Sequence, residues 1–183
     1  MNTIIIYDLD DGIFPTTWVL KNNNLEIFDF TQLDNIIYNL LYTSIKLGYV
    51  IIVSNCLPIW YNKVLQVLPK TKYIIEINKI PIRYSRLETT SNNYMLSKVK
   101  TFNNIYNNIK SSKKHLNIIS IGDSMPEFIA LIQLSSNKQN KYLKTIRMKE
   151  KPSYDEIIHQ LNLLYKSLNS IIYRQKNMDL LFV

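Results

Sequence analysis

The sequence predicts an α/β fold of three layers, α/β/α, in which a mostly parallel sheet of five strands is covered by helices on both sides. Three observations predict it. Short apolar runs rich in β-branched residues recur without polar alternation, which is how strands buried on both faces read. Segments with the spacing of amphipathic helices lie between them, and strand–helix alternation implies a parallel sheet with helical crossovers. Polar clusters follow directly on several of the apolar runs, where open α/β sheets hold their ligands.

The first run, Thr3 to Tyr7 (TIIIY), reads as a strand. Ile36, Ile37, Leu40, Leu41 and Ile45 then form one helical stripe, which stops at Gly48; glycine tolerates the left-handed backbone that ends many helices. Tyr49 to Val53 (YVIIV) and Tyr73 to Ile77 (YIIEI) read as the second and third strands. Leu116 to Ile121 (LNIISI) is the fourth, Met125 to Leu134 a helix, and Leu143 to Met148 (LKTIRM) the last strand. Pro152-Ser153 followed by Glu156 has the spacing of a capping box, and Ile157, Leu161, Leu164, Leu168 and Ile171 continue an apolar helix face. The expected strand order is 5-4-1-2-3, which makes the first and fourth strands neighbours.

At 183 residues and 46% hydrophobic content the chain can bury a full core. Residues 1–172 read as one domain and 173–183 as a loosely held tail; Asn22 to Asn24 and Ser91 to Asn93 read as exposed loops. No apolar stretch reaches the roughly 18 to 20 residues of a membrane span, and the N-terminus turns acidic too soon for a signal peptide, so the reading is a soluble, cytoplasmic protein with no membrane partner. Cys56 is the single cysteine, which excludes an internal disulfide, and its place after an apolar strand suits packing. His115 and His159 lack metal-ligand spacing, which argues against a zinc enzyme. The formal charge of +8 admits nucleic acid as a partner. Support for it is weak, because abundant Asn, Ile, Lys and Tyr suit AT-rich coding DNA and only Lys110, Lys113 and Lys114 cluster.

Asp8 and Asp10 stand at the end of the first strand, two residues apart and so on one side of an extended chain. Paired carboxylates need compensation, and Mg²⁺, which prefers hard oxygen ligands beside phosphate, supplies it. Ser54-Asn55 follows the second strand, and Gly122-Asp123-Ser124 the fourth, with Glu127 one turn into the next helix. A helix N-terminus there offers free N–H groups to an anion.

These residues resemble the haloacid dehalogenase (HAD) superfamily of phosphohydrolases, whose four motifs occur in order. They are Tyr7-Asp8-Leu9-Asp10-Asp11-Gly12, then Val53-Ser54-Asn55, a lysine in Ser97-Lys98-Val99-Lys100, and Ile121-Gly122-Asp123-Ser124-Met125-Pro126-Glu127. Phe14-Pro15-Thr16, Trp60 and the stretch from Lys98 to Phe102 are similar to a capless phosphatase branch found in protists and algae. The resemblance implies a Rossmann-like, HAD-like sheet and hydrolysis of phosphate monoesters through an aspartyl-phosphate. By it, Asp8 is the nucleophile and Asp10 the proton donor and later the base. The Asp8 carboxylate, the Asp10 carbonyl and Asp123 would hold Mg²⁺, with Ser124 and Glu127 supporting. Ser54 and the Asn55 backbone N–H would grip a phosphoryl oxygen, and Lys98 would offset charge on Asp8 and on the transferring phosphoryl group.

Lys100 competes with Lys98 for the third motif, and Gly12 replaces the Thr or Val usual in the family, which is expected to loosen the turn. Arg83 and Arg86 are either contacts for a second anionic group or surface charge; Trp18 and Trp60 read as packing aromatics. A flap hairpin over about Ile13 to Phe28 and a helix fill the gap after the first motif, leaving no room for a large cap. By family analogy, uncapped members often act on macromolecules, so the phosphorylated substrate is left open between a small molecule and a macromolecule. A receiver domain is excluded because its lysine follows the last strand, and a P-loop enzyme because no Gly-Lys-Ser/Thr loop exists. The rival reading is a catalytically inactive HAD-like binding protein whose basic surface engages an acidic partner or nucleic acid.

Overall fold

The computed structural model describes residues 2–23, 25–88, 93–109, 115–136 and 141–182; the lysine cluster at 110, 113 and 114, and parts of both Asn-rich loops, lie outside them. β1 (Asn2–Tyr7) is followed by α1 (Thr16–Asn22), α2 (Thr31–Leu47) and β2 (Tyr49–Ser54). Next come α3 (Pro58–Val67), α4 (Pro69–Ile77), β3 (Ile82–Tyr84), a 3₁₀ turn (Ser85–Leu87) and α5 (Tyr94–Ile109). The chain continues through β4 (Leu116–Gly122), α6 (Met125–Gln133), a second 3₁₀ turn (Leu134–Ser136), β5 (Lys141–Arg147), α7 (Tyr154–Tyr173) and β6 (Met178–Leu181). The fold is α/β, and every neighbouring strand pair in the sheet is parallel.

The sheet has six strands in the order β3-β2-β1-β4-β5-β6; read from the other edge this is 6-5-4-1-2-3, which differs from the expected five-strand sheet of order 5-4-1-2-3 by a sixth strand beside β5 and by the segment that forms the third. Two segments account for the difference. Tyr73 to Ile77 is helical, within α4: Thr71, Ile74 and Ile75 are buried while Tyr73 and Ile77 are each 59% exposed, the three-and-four spacing of a helix face. Pro69 opens that helix, and buried Asp34 of α2 accepts from the Lys70 and Thr71 backbone N–H groups at 2.9 and 2.8 Å, which satisfies first-turn donors. The third strand is instead Ile82–Tyr84, directly after Pro81 and on the sheet edge, where a missing N–H does no harm. The segment read as a tail supplies β6, pairing with β5 from Lys144↔Met178 to Arg147↔Leu181. Arg147 donates to Asp179 at 3.0 and 2.9 Å, which fastens that edge.

Two further expectations are corrected. Residues 16–22 form α1 where a flap hairpin was expected. Gly48 is extended, with φ 179°, and glycine is needed there for space: a Cβ would lie 2.6 Å from the Thr3 carbonyl oxygen.

Strand alternation divides the core in two. Ile5 and Tyr7 of β1 join Ile52 and Ile121 in a cluster with Ile37 and Leu40 of α2 and with Leu161 and Leu164 of α7. Ile4 and Ile6 join Ile51 and Ile118 in a second cluster with Phe102 of α5 and Leu131 of α6. Lys144, fully buried on β5, donates to the carbonyls of Ile171 and Ile172 in the last turn of α7 at 2.6 and 2.9 Å, where a helix terminus presents unsatisfied acceptors. Among the described residues no helix is long and apolar enough to cross a membrane.

Candidate active site

The register Tyr7↔Ile121 between β1 and β4 brings Asp8 and Asp123 to one sheet edge, and the Asp8 N–H donates to the Ile121 carbonyl at 2.8 Å. Ser124 and Glu127 close a capping box at the start of α6: the Glu127 carboxylate Oε2 accepts from the Ser124 backbone N–H at 3.1 Å and from its hydroxyl at 2.5 Å. Gly122 makes the fit possible, since a Cβ there would lie 2.7 Å from Glu127 Cγ and 3.2 Å from Asp8 Cβ. Oxygens of Asp8, Asp123 and Glu127 consequently lie within 4.8 Å of one another.

Into this group α5 delivers Lys98. Its side chain is 2% exposed, and Nζ lies 2.8 Å from Asp8 Oδ1 and is also bonded to Glu127 Oε1. Lys100, on the other side of the helix, is exposed, so the buried partner of Asp8 is Lys98. Glu127 enters the cluster directly, a closer role than the support read for it from the sequence.

One cation among three carboxylates leaves an excess of negative charge. Burial raises the Asp8 pKa to about 6 against the opposing pull of Lys98, with Asp10 adding to the rise. Burial and the neighbouring Asp8 and Asp11 charges raise Asp123 to about 7.

Asp10 sits in a separate set of contacts. Thr16 Oγ1 and Trp60 Nε1 both donate to its Oδ1, at 2.7 and 3.0 Å, and Ser54 Oγ donates to its Oδ2 at 2.7 Å. Ser54 also accepts from the Cys56 N–H at 2.9 Å, so its hydroxyl faces Asp10 and not an open pocket. The Asn55 side-chain oxygen is buried without a hydrogen-bond partner. Trp60 was read from the sequence as a packing aromatic; it does pack edge-on against Phe14, at 6.4 Å between centroids, but its N–H reaches Asp10. The signal available was its place in the first turn of the helix after Ser54-Asn55.

Asp11, with φ 56°, is buried. It accepts from the Thr17 backbone N–H at 2.9 Å and from the Thr17 hydroxyl, tying the loop to α1. Gly12 packs on the nucleophile candidate itself: a Cβ would lie 2.7 Å from the Asp8 carbonyl oxygen. The glycine thus permits close approach where a loosened turn was expected.

The remaining candidates lie apart from this group. Arg83 pairs with Glu88 at 3.8 Å and Arg86 stacks on Tyr94, both at exposed positions. Trp18 packs with Phe28 and Tyr154. The Cys56 thiol is pushed up to about 11, chiefly by burial, which makes it a poor nucleophile at neutral pH. No protein-family model, no curated protein and no solved structure matches this chain, so the resemblance read from the sequence rests on its motifs alone.

Proposed function

We propose that the chain is a Mg²⁺-dependent phosphohydrolase of the HAD kind, a three-layer α/β/α sandwich without a large cap, that hydrolyses phosphate monoesters through an aspartyl-phosphate. The observation that carries this reading is the buried Lys98 ammonium bonded to Asp8 and Glu127, with Asp123 beside them at the end of β4. A lysine and three acids from three separate parts of the chain, the end of β1, α5 and the β4–α6 junction, converge at one end of the sheet, an arrangement that suits phosphoryl transfer, where positioning and charge stabilisation supply most of the catalysis.

The residues fit a hard divalent cation. Asp8, Asp123 and Glu127 offer carboxylate oxygens within 4.8 Å of one another, and Asp123 has its proton affinity raised by burial first and by the Asp8 and Asp11 charges second, both of which a bound cation would offset. Those three side chains would hold the ion, which would screen the charge of the phosphoryl group and of the carboxylates around it.

In the proposed reaction an Asp8 carboxylate oxygen attacks phosphorus, the ester P–O bond breaks, and the departing oxygen takes a proton from Asp10. Asp10, now ionised, accepts a proton from water as that water attacks the acyl phosphate, which regenerates Asp8 and releases inorganic phosphate. Lys98 keeps Asp8 in its nucleophilic, ionised form and steadies the developing charge. The test is Mg²⁺-dependent turnover of p-nitrophenyl phosphate by the wild type and by Asp8→Asn. Loss of turnover in the variant is expected; equal rates for the two proteins overturn the reading.

A further inference from the structure

We infer that Trp60 is a positioning residue that decides which oxygen of Asp10 carries the transferable proton, an inference that rests on the phosphohydrolase reading. The argument is one of lone pairs. Asp10 Oδ1 accepts from both Thr16 Oγ1, at 2.7 Å, and Trp60 Nε1, at 3.0 Å. A carboxylate oxygen has two in-plane acceptor sites, so Oδ1 is filled. Among the described residues Oδ2 accepts from Ser54 Oγ alone, at 2.7 Å, which leaves one of its two sites for another partner.

The three donors are not equivalent. The hydroxyls of Thr16 and Ser54 can rotate and accept, but an indole N–H only donates. Trp60 is also fixed from behind. Pro58 opens α3 two residues after Cys56, and the Trp60 ring lies edge-on to fully buried Phe14. Its N–H therefore holds Oδ1 as an acceptor and leaves Oδ2, beside Ser54, as the oxygen with room for a transferable proton. That is the oxygen nearer the end of β2, where the second motif lies. A carboxyl free to turn over would present its proton on either oxygen and lose the alignment that general-acid catalysis needs.

The consequence is selective. An ester with a good leaving group departs with little protonation, whereas an alkyl ester depends on it. Trp60→Phe keeps the ring against Phe14 and deletes the N–H; benzothienylalanine at position 60 puts sulfur in place of the N–H at nearly constant shape and covers the case in which Phe misfolds. The assay compares kcat/KM for p-nitrophenyl phosphate and glycerol 2-phosphate. General acids contribute about 10²- to 10⁴-fold, so a misaligned one should lower the alkyl ester at least about ten-fold more than the aryl ester. Asp10→Asn should show the same selectivity, more strongly. Equal losses on both esters, or none, overturn the Trp60 assignment alone. Absence of turnover of either ester by the wild type overturns the phosphohydrolase reading and this inference with it.

Discussion

Replacing Lys98 by Met removes the only cation bonded to Asp8 and Glu127 among the described contacts while preserving the length of the stem. The Lys98 side chain is 2% exposed and those of Asp8 and Glu127 are each 6% exposed, so water cannot take over its role. Breaking a buried pair from one side leaves an uncompensated charge and costs about 3–5 kcal/mol. For a chain of this size that lowers Tm on the order of 10 °C. The loss should depend on pH. Asp8 already protonates at about 6 with Lys98 present, so without the ammonium it takes up a proton more readily still, and at pH 5 the Asp8 share of the orphaned charge is neutralised. The expected result in a chelating buffer is a large drop in Tm at pH 8 and a small one at pH 5, read by circular dichroism. A Tm change that is the same at both pH values would show that Lys98 contributes packing and not charge.

Two further outcomes follow from the same region. Asp8 and Asp123 have pKa values raised from 3.8 to about 6 and about 7; the folded chain binds more protons than the unfolded one between those limits, so their contribution to stability is complete below pH 3.8 and is lost as pH rises through 6 and 7. Metal-free protein should accordingly resist urea better at pH 5 than at pH 8, with Mg²⁺ narrowing the gap; a metal-free protein equally stable at both would contradict it. Gly12→Thr places a Cβ 2.7 Å from the Asp8 carbonyl oxygen and should destabilise by about 1–3 kcal/mol in urea unfolding; a neutral or more stable variant would show that the loop yields freely.

Much of this site could be read from residue order because its pieces sit on elements with strong local signals. β1, β2 and β4 are buried runs ending in polar residues, and Asp8, Ser54 and Asp123 follow from where those runs stop. The choice between Lys98 and Lys100 needed the helix phase, which burial of Ser97, Lys98, Thr101 and Phe102 settles. The edges of the sheet were harder. β3 has three residues with an exposed arginine at its centre, and β6 alternates half-buried with exposed positions, so neither has the apolar run that marks an interior strand; each exists because a neighbour offers its free edge. YIIEI misled for the opposite reason: five apolar-rich residues satisfy a strand and a buried helix alike, and only the adjacent Pro69 and the distant Asp34 decide between them. The contacts of Asp10 were illegible, since Thr16, Ser54 and Trp60 meet only after α1 and α3 have docked.

The pairing of Tyr7 with Ile121 has a consequence for how such a cluster can exist at all. Three acids and one base do not seek one another out; left to themselves the carboxylates would separate. Their neighbourhood is imposed from below, by isoleucines of β1 and β4 whose side chains fit both cores in one register only. A slip by a single residue would turn each of those isoleucines to the wrong face. Greasy residues beneath the charged end of the sheet thus act as the jig that holds mutually repelling groups in place.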